Sequence, residues 1–169
     1  QAARRGMPKE VYSAADIERI NHFQLNFRAN AGSFGYESAP IREVEIGKDT
    51  LVPCLAQMEL REIRTDIKSD SSASDFVRLI WSYLLALHQT SATLTSPGHH
   101  PGLLMFDEPG QHSMAVDSQH ALLKQLASET NLQSIVAASF DEAEEVFRQA
   151  TQGIKYTLIE WDGKLLRPQ

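Results

Sequence analysis

The run Pro101-Gly102-Leu103-Leu104-Met105-Phe106-Asp107-Glu108-Pro109-Gly110 sets the tightest limit on what this chain can fold into. Its four consecutive apolar residues, with Pro-Gly on either side, are too short for a helix and predict a buried strand of a parallel sheet. That strand carries Asp107 and Glu108 to its carboxyl end, where open α/β sheets bind their ligands. Successive strand residues face opposite sides, so the two carboxylates can divide roles, one holding a metal and the other handling a water.

An apolar run ending in Asp-Glu is the Walker B pattern of nucleotide hydrolases, in which the Asp serves Mg²⁺ and the Glu orients or deprotonates the attacking water. Two solvated acids at the end of an ordinary strand fit the same residues. The 169 residues make one domain, long enough to bury roughly 70% of the unfolded surface. The single Cys54 excludes an internal disulfide framework and a four-thiol metal site, and a reducing, intracellular setting fits best. No apolar run approaches the ~20 residues that cross a bilayer, and Gln1-Ala2-Ala3-Arg4-Arg5 lacks the apolar core of a signal peptide. The chain therefore reads as soluble, with no membrane partner, and its start without Met reads as a fragment of a longer polypeptide. With 22 acidic and 16 basic residues the formal charge is −6, so any contact with nucleic acid must be local or shared with another segment.

Residues 1–12 carry four basic side chains with Gly6 and Pro8 and read as irregular. Ser13 with Asp16 forms a capping-box pattern that opens a helix through Ile17, Ile20, Phe23 and Phe27, ending at Asn30-Ala31-Gly32. From Ile41 a period of two through Val44 and Ile46, the turn Gly47-Lys48-Asp49, and then Leu51 and Val52 predict a β-hairpin, with Pro53 at an edge or strand end. Residues 56–68 fit strand or helix equally.

The small polar stretch Ser69 to Asp75 runs into Phe76-Val77-Arg78-Leu79-Ile80-Trp81-Ser82-Tyr83-Leu84-Leu85-Ala86-Leu87, apolar on nearly every face and expected to be almost wholly buried. Free N–H groups beside several hydroxyls at its start suit an anion. Ser72 followed by Asp75 is also a capping box, which this stretch alone favours. Ser96-Pro97-Gly98 turns the following loop. His99, His100, His112 and His120 match no zinc spacing, and the adjacent His99 and His100 in their Pro-Gly loop read as solvated. After the acidic strand, a polar turn from Gly110 to Asp117 leads to a helix over 118–128 with Leu122, Leu123 and Leu126 as its stripe. Gln133 to Ala138 reads as a second buried strand, Asp141-Glu142 opens a helix carrying Val146 and Phe147, Lys155 to Trp161 reads as a strand, and Asp162-Gly163 as a hairpin turn. The alternation predicts an α/β layer with a mainly parallel sheet flanked by helices.

A hydroxyl-rich turn into a buried helix, an apolar strand ending Asp-Glu-Pro, then a helix and another strand: in this order the chain resembles the C-terminal lobe of an ABC-type (P-loop NTPase) head. More narrowly it resembles the SMC family and its coiled-coil relatives from double-strand-break repair. The resemblance covers Ser69 to Gln169 and extends to the hairpin. It implies two regions, a helical lead-in over 1–40 as the end of a coiled coil and the head lobe over 41–169. It places the ATP-binding signature motif on Ser72, Ala73, Ser74 and Asp75, with Ser72 and Ser74 meeting the γ-phosphate of ATP on the opposite head. It makes Asp107 the Mg²⁺-associated acid, Glu108 the catalytic base, and the stretch ending near Asp117 the D-loop.

Two departures accompany it. The family's switch histidine should follow the strand over 133–138, where this chain has Ser139-Phe140-Asp141-Glu142; Gln111, His112 or another side chain would take over that contact, or phosphate sensing is weakened. No G-x-x-x-x-G-K-[ST] occurs, so the chain does not cradle a triphosphate by itself. The resemblance then implies an ATPase completed by an N-terminal Walker A lobe of the same protein and by a second head in a homodimer. ATP and Mg²⁺ would be its cofactors and DNA its partner, in a cytoplasmic or nucleoid-associated setting. Genome maintenance and anti-phage defence, as in Lamassu-type systems, are the pathways it points to. Two rivals are a non-catalytic α/β interaction module derived from an ABC head, and a metal-dependent hydrolase built on Asp107, Glu108 and the histidines, which needs a second acidic strand end.

Overall fold

The computed structural model describes residues 12–55, 58–59, 73–93, 98–110, 113–139 and 144–160. Helix α1, Ala14–Ser33, starts at the expected capping box: the Ser13 hydroxyl accepts from the Asp16 N–H at 3.2 Å, and the Asp16 carboxylate accepts from the Ser13 N–H at 3.0 Å. Its buried positions, Ile20, Phe23, Phe27, Asn30 and Ala31, recur at helical spacing and form one face. That face packs on the long helix α2, Ala73–Thr93, with Phe23 meeting Tyr83 edge-on at 5.0 Å. The described part of the lead-in thus shares a core with Val44, Ile46, Leu79 and Ala86.

A hairpin is present but displaced from the predicted one: its first strand starts later, Leu51 and Val52, expected in the second strand, lie in the connection, and Pro53 begins that strand. Strands β1, Val44–Ile46, β2, Pro53–Leu55, and β3, Met58–Glu59, form an antiparallel sheet in the order β1-β2-β3. Ile41 lies outside it, in a 3₁₀ turn over Ile41–Glu43: Pro40 fixes its own φ at −56°, and the Glu43 N–H bonds back to the Pro40 carbonyl at 2.8 Å. Pro53 opens β2 opposite Ile46, a position that tolerates the missing donor. Gly47 suits the turn, because a Cβ there would come within 2.8 Å of the Thr50 hydroxyl, which would have to turn aside. Met58 and Glu59 settle the strand reading for two of the ambiguous residues; 56, 57 and 60–68 lie outside the described ones.

The second half follows the predicted alternation up to its last element. Strand β4, Leu103–Asp107, pairs in parallel with β5, Gln133–Ala137, from Leu103 opposite Gln133 to Asp107 opposite Ala137. Helix α3, Val116–Ser128, makes the crossover and begins two residues before the expected Ser118. Helix α4, Glu144–Ala150, carries Val146 and Phe147; the predicted opening at Asp141-Glu142 lies outside the described residues. Leu104 and Phe106 point into a core with Trp81, Leu85, Leu122 and Leu126.

Three expectations fail. Both parallel strands were expected to be buried, yet β4 alternates: Leu103, Met105 and Asp107 are exposed, Met105 at 67%, and Ile135 on β5 is 48% exposed. Among the described residues, helices cover one side of the sheet and the other side is exposed. Helix α2 is not buried all round, since Ile80 and Leu87 face outward. Residues 154–160 follow α4 without forming a strand, exposing Tyr156, Leu158 and Ile159, and the predicted turn at Asp162-Gly163 lies outside the described residues. An alternating pattern becomes a strand only where a neighbouring strand takes its hydrogen bonds. Among the described residues no helix is long and apolar enough to cross a membrane.

Candidate functional site

The parallel register sets the end of β4 beside the end of β5. Asp107 is the last residue of β4, with its side chain exposed. Glu108 follows in the left-handed region at φ +47°, a conformation that costs a non-glycine residue about 1 kcal/mol or more. Two connections hold it there. Its backbone N–H donates to the Ala137 carbonyl at 2.8 Å, and its Oε1 accepts from the Ser139 N–H at 2.9 Å and the Ser139 hydroxyl at 2.7 Å. Buried Pro109 follows, and Gly110 lies against the Gln119 side chain. Gln119 in turn donates to the Met114 carbonyl at 3.1 Å, fixing the return of the loop into α3.

The start of α2 builds a second cluster. Ala73 is exposed, Ser74 half-buried and Asp75 buried at 3% exposure. The Asp75 carboxylate accepts from the backbone N–H groups of Glu37 and Ser38 and from the Ser38 hydroxyl, and it pairs with Arg78. Burial alone would push its carboxyl up. The hydrogen bonds from Ser38, Arg78 and Glu37, with the charge of Arg78, outweigh that and hold it below the usual carboxylate range. Arg78 also donates from Nε to the Ser118 hydroxyl at 3.1 Å, which ties the second turn of α2 to the first turn of α3 beside exposed Asp117.

Of the residues singled out in the sequence, Asp107 and Glu108 therefore stand together at the sheet's carboxyl end. Ala73, Ser74 and Asp75 open α2, and Asp117 sits in the first turn of α3. Ser72, Gln111 and His112 lie outside the described residues. Asp75 faces the chain's own loop, so its place is to anchor the start of α2. The ties made by Ser139, Arg78 and Ser118 do not follow from the motifs. Ser139 stands where the resemblance expects a switch histidine, and the signal for its contact with Glu108 is that strands joined by one crossover end side by side. Arg78 could have been found by its i+3 spacing from Asp75.

His100 is half-buried rather than solvated, its ring edge-on to that of buried His88 with centroids 5.1 Å apart. His99 is exposed, Nδ1 of His100 accepts from the Gly102 N–H at 3.1 Å, and Nδ1 of His120 lies 3.1 Å from the Ala150 carbonyl. Among the described residues no three His, Cys, Asp or Glu side chains converge on a metal-sized site. An open cleft of about 150 Å³ between α2 and β2 is lined by Val52, Pro53, Phe76, Leu79, Ile80, Tyr83 and Leu84. Apart from the Tyr83 hydroxyl its lining side chains are apolar, and it offers no acid, base or nucleophile for chemistry. Comparison of the chain with family models, with curated proteins and with solved structures finds no match in any of the three.

Proposed function

We propose that this chain is the C-terminal half of an SMC-like ATPase head, working in a composite site that couples ATP binding and hydrolysis to DNA engagement. The observation that carries the reading is the pair Asp107-Glu108 at the carboxyl end of a parallel strand, with Glu108 tied on two sides to the neighbouring strand. The bare apolar side of the same sheet supports it. Parallel sheets are normally covered on both faces, and a companion lobe carrying a phosphate loop would supply the missing cover.

Asp107 fits Mg²⁺ as one exposed carboxylate oxygen donor, since this ion commonly takes one or two carboxylates and completes its shell with water and phosphate. Bound there, the ion would neutralise charge on the phosphates. Glu108 is the group to orient and deprotonate a water. Ser72, Ala73 and Ser74 would meet ATP held by a second head, in a homodimer, with Asp75 fixing the helix behind them. Asp117 would mark the end of the segment joining the two sites. DNA as partner, and genome maintenance or anti-phage defence as setting, rest on the resemblance alone.

The test is ATP turnover by the chain alone and with the polypeptide bearing the phosphate loop, each with and without Glu108→Gln. Turnover confined to the mixture and lost on substitution, with ATP still bound, is the expected result. No turnover and no ATP-dependent pairing in any combination would favour a non-catalytic module, the reading that Ser139 in place of a histidine otherwise supports.

A further inference from the structure

We infer that Ser139 is the positioning residue for Glu108, and this rests on the ATPase reading above. Glu108 belongs to a turn that leaves β4 with a positive φ, so its backbone does not hold its side chain in a strand's usual direction. Something outside β4 must fix it. Ser139 does so twice on the same oxygen, through its N–H at 2.9 Å and its hydroxyl at 2.7 Å. Because both donors take Oε1, Oε2 is the oxygen left for a water.

The position of Ser139 is itself set by the sheet. It lies two residues beyond Ala137, the last residue of β5, whose carbonyl accepts the Glu108 N–H at 2.8 Å. Backbone and carboxylate of Glu108 are thus both referred to one neighbouring strand, and a displacement of β5 moves the base with it. A serine supplies this hold without a charge of its own. The residue that breaks the expected pattern for phosphate sensing therefore has a different task, the aim of the base.

The test pairs turnover with a readout that needs none. In the mixture with the phosphate-loop polypeptide, Ser139→Ala is expected to lower kcat about tenfold with KM for ATP changed less than about twofold, the effect of losing roughly one hydrogen bond in the transition state. Ser139→Thr restores most of the rate, and Ser139→Ala adds little in a Glu108→Gln background. On the chain itself, the Ser139 amide resonance shifts and exchanges faster with solvent in Glu108→Ala. This second readout tests the bond from its other end even where a Ser139 variant fails to fold.

Turnover that is unchanged in Ser139→Ala, or a Ser139 amide indifferent to residue 108, overturns the inference and leaves the ATPase reading standing. A responsive amide without turnover in any combination defeats the ATPase reading, and the catalytic role of Ser139 with it.

Discussion

Asp75 and Arg78, one turn apart on α2, form a buried pair through which three segments of the chain are joined. The carboxylate holds the loop at Glu37 and Ser38, and the guanidinium reaches Ser118 on α3. Removing the acid strands two backbone donors and leaves Arg78 without this carboxylate. Asp75→Ala is expected to cost about 3 kcal/mol or more of unfolding free energy. Urea titration of the two proteins measures it, and a loss below about 1 kcal/mol would mean that loop and helix hold one another without the pair.

The same pair sets a pH dependence. Folded Asp75 holds its proton less tightly than the unfolded chain does, because hydrogen bonds and Arg78 overcome the opposing effect of burial. Its contribution is complete above the unfolded carboxyl value near pH 4 and is lost as pH falls from there through the lower folded value. Asp16, held low by the Ser13 hydroxyl and N–H, acts in the same window, so the readout is the difference between proteins. Unfolding free energy measured from about pH 6 to pH 2 should fall less steeply below pH 4 in Asp75→Asn than in the parent chain. Parallel curves would assign the acid sensitivity to other carboxylates.

Much of the architecture was legible because local chemistry and long-range packing agree. Ser13 and Asp16 announce α1, and the apolar runs ending at Asp107 and Ala137 announce a parallel pair. What the sequence could not show is which side of an apolar run is covered. Met105 and Ile135 look as buried in the sequence as Leu104 and Val136 do, and only the packing of α2 and α3 residues on one side separates them. Residues 154–160 have strand-like alternation, and among the described residues no strand pairs with them. At the site, Asp107 and Glu108 were legible from their position after a strand. The Ser139 contact required knowing that β4 and β5 end in register. The inward turn of Asp75 required knowing that the loop at Glu37 passes the start of α2.

Leu51 offers a test of strain remote from the site. It takes φ +57° in the turn between β1 and β2, its N–H bonded to the Gly47 carbonyl at 2.7 Å, with its side chain 42% exposed. A leucine pays a steric cost in the left-handed region that glycine avoids, and little packing is lost from an exposed side chain. The greater freedom of glycine in the unfolded chain offsets part of the gain. Leu51→Gly is expected to stabilise by about 0.5 kcal/mol, read as a small rise in Tm. A fall in Tm would show that the Leu51 side chain packs to more effect than its exposure suggests.

The bare side of the parallel sheet gives the sharpest separation between folding alone and folding for a partner. Met105 and Ile135 sit across from one another in register, exposed at 67% and 48%, while their neighbours Leu104 and Phe106 are buried under the helices. If the sheet is completed by a companion lobe, burying what is still exposed of each side chain contributes about 1–2 kcal/mol on association and next to nothing in the chain alone. Met105→Lys and Ile135→Lys should then leave the chain's own stability within about 0.5 kcal/mol, as for surface substitutions generally. They should weaken pairing with the phosphate-loop polypeptide at least about tenfold each, because an association that buries this side would take the lysine charge out of water. Thermal melts of the isolated chain and binding measured by calorimetry check the two halves separately. Destabilisation of the chain by either substitution would mean that this side is already packed within the fold, and unchanged pairing would place the companion elsewhere.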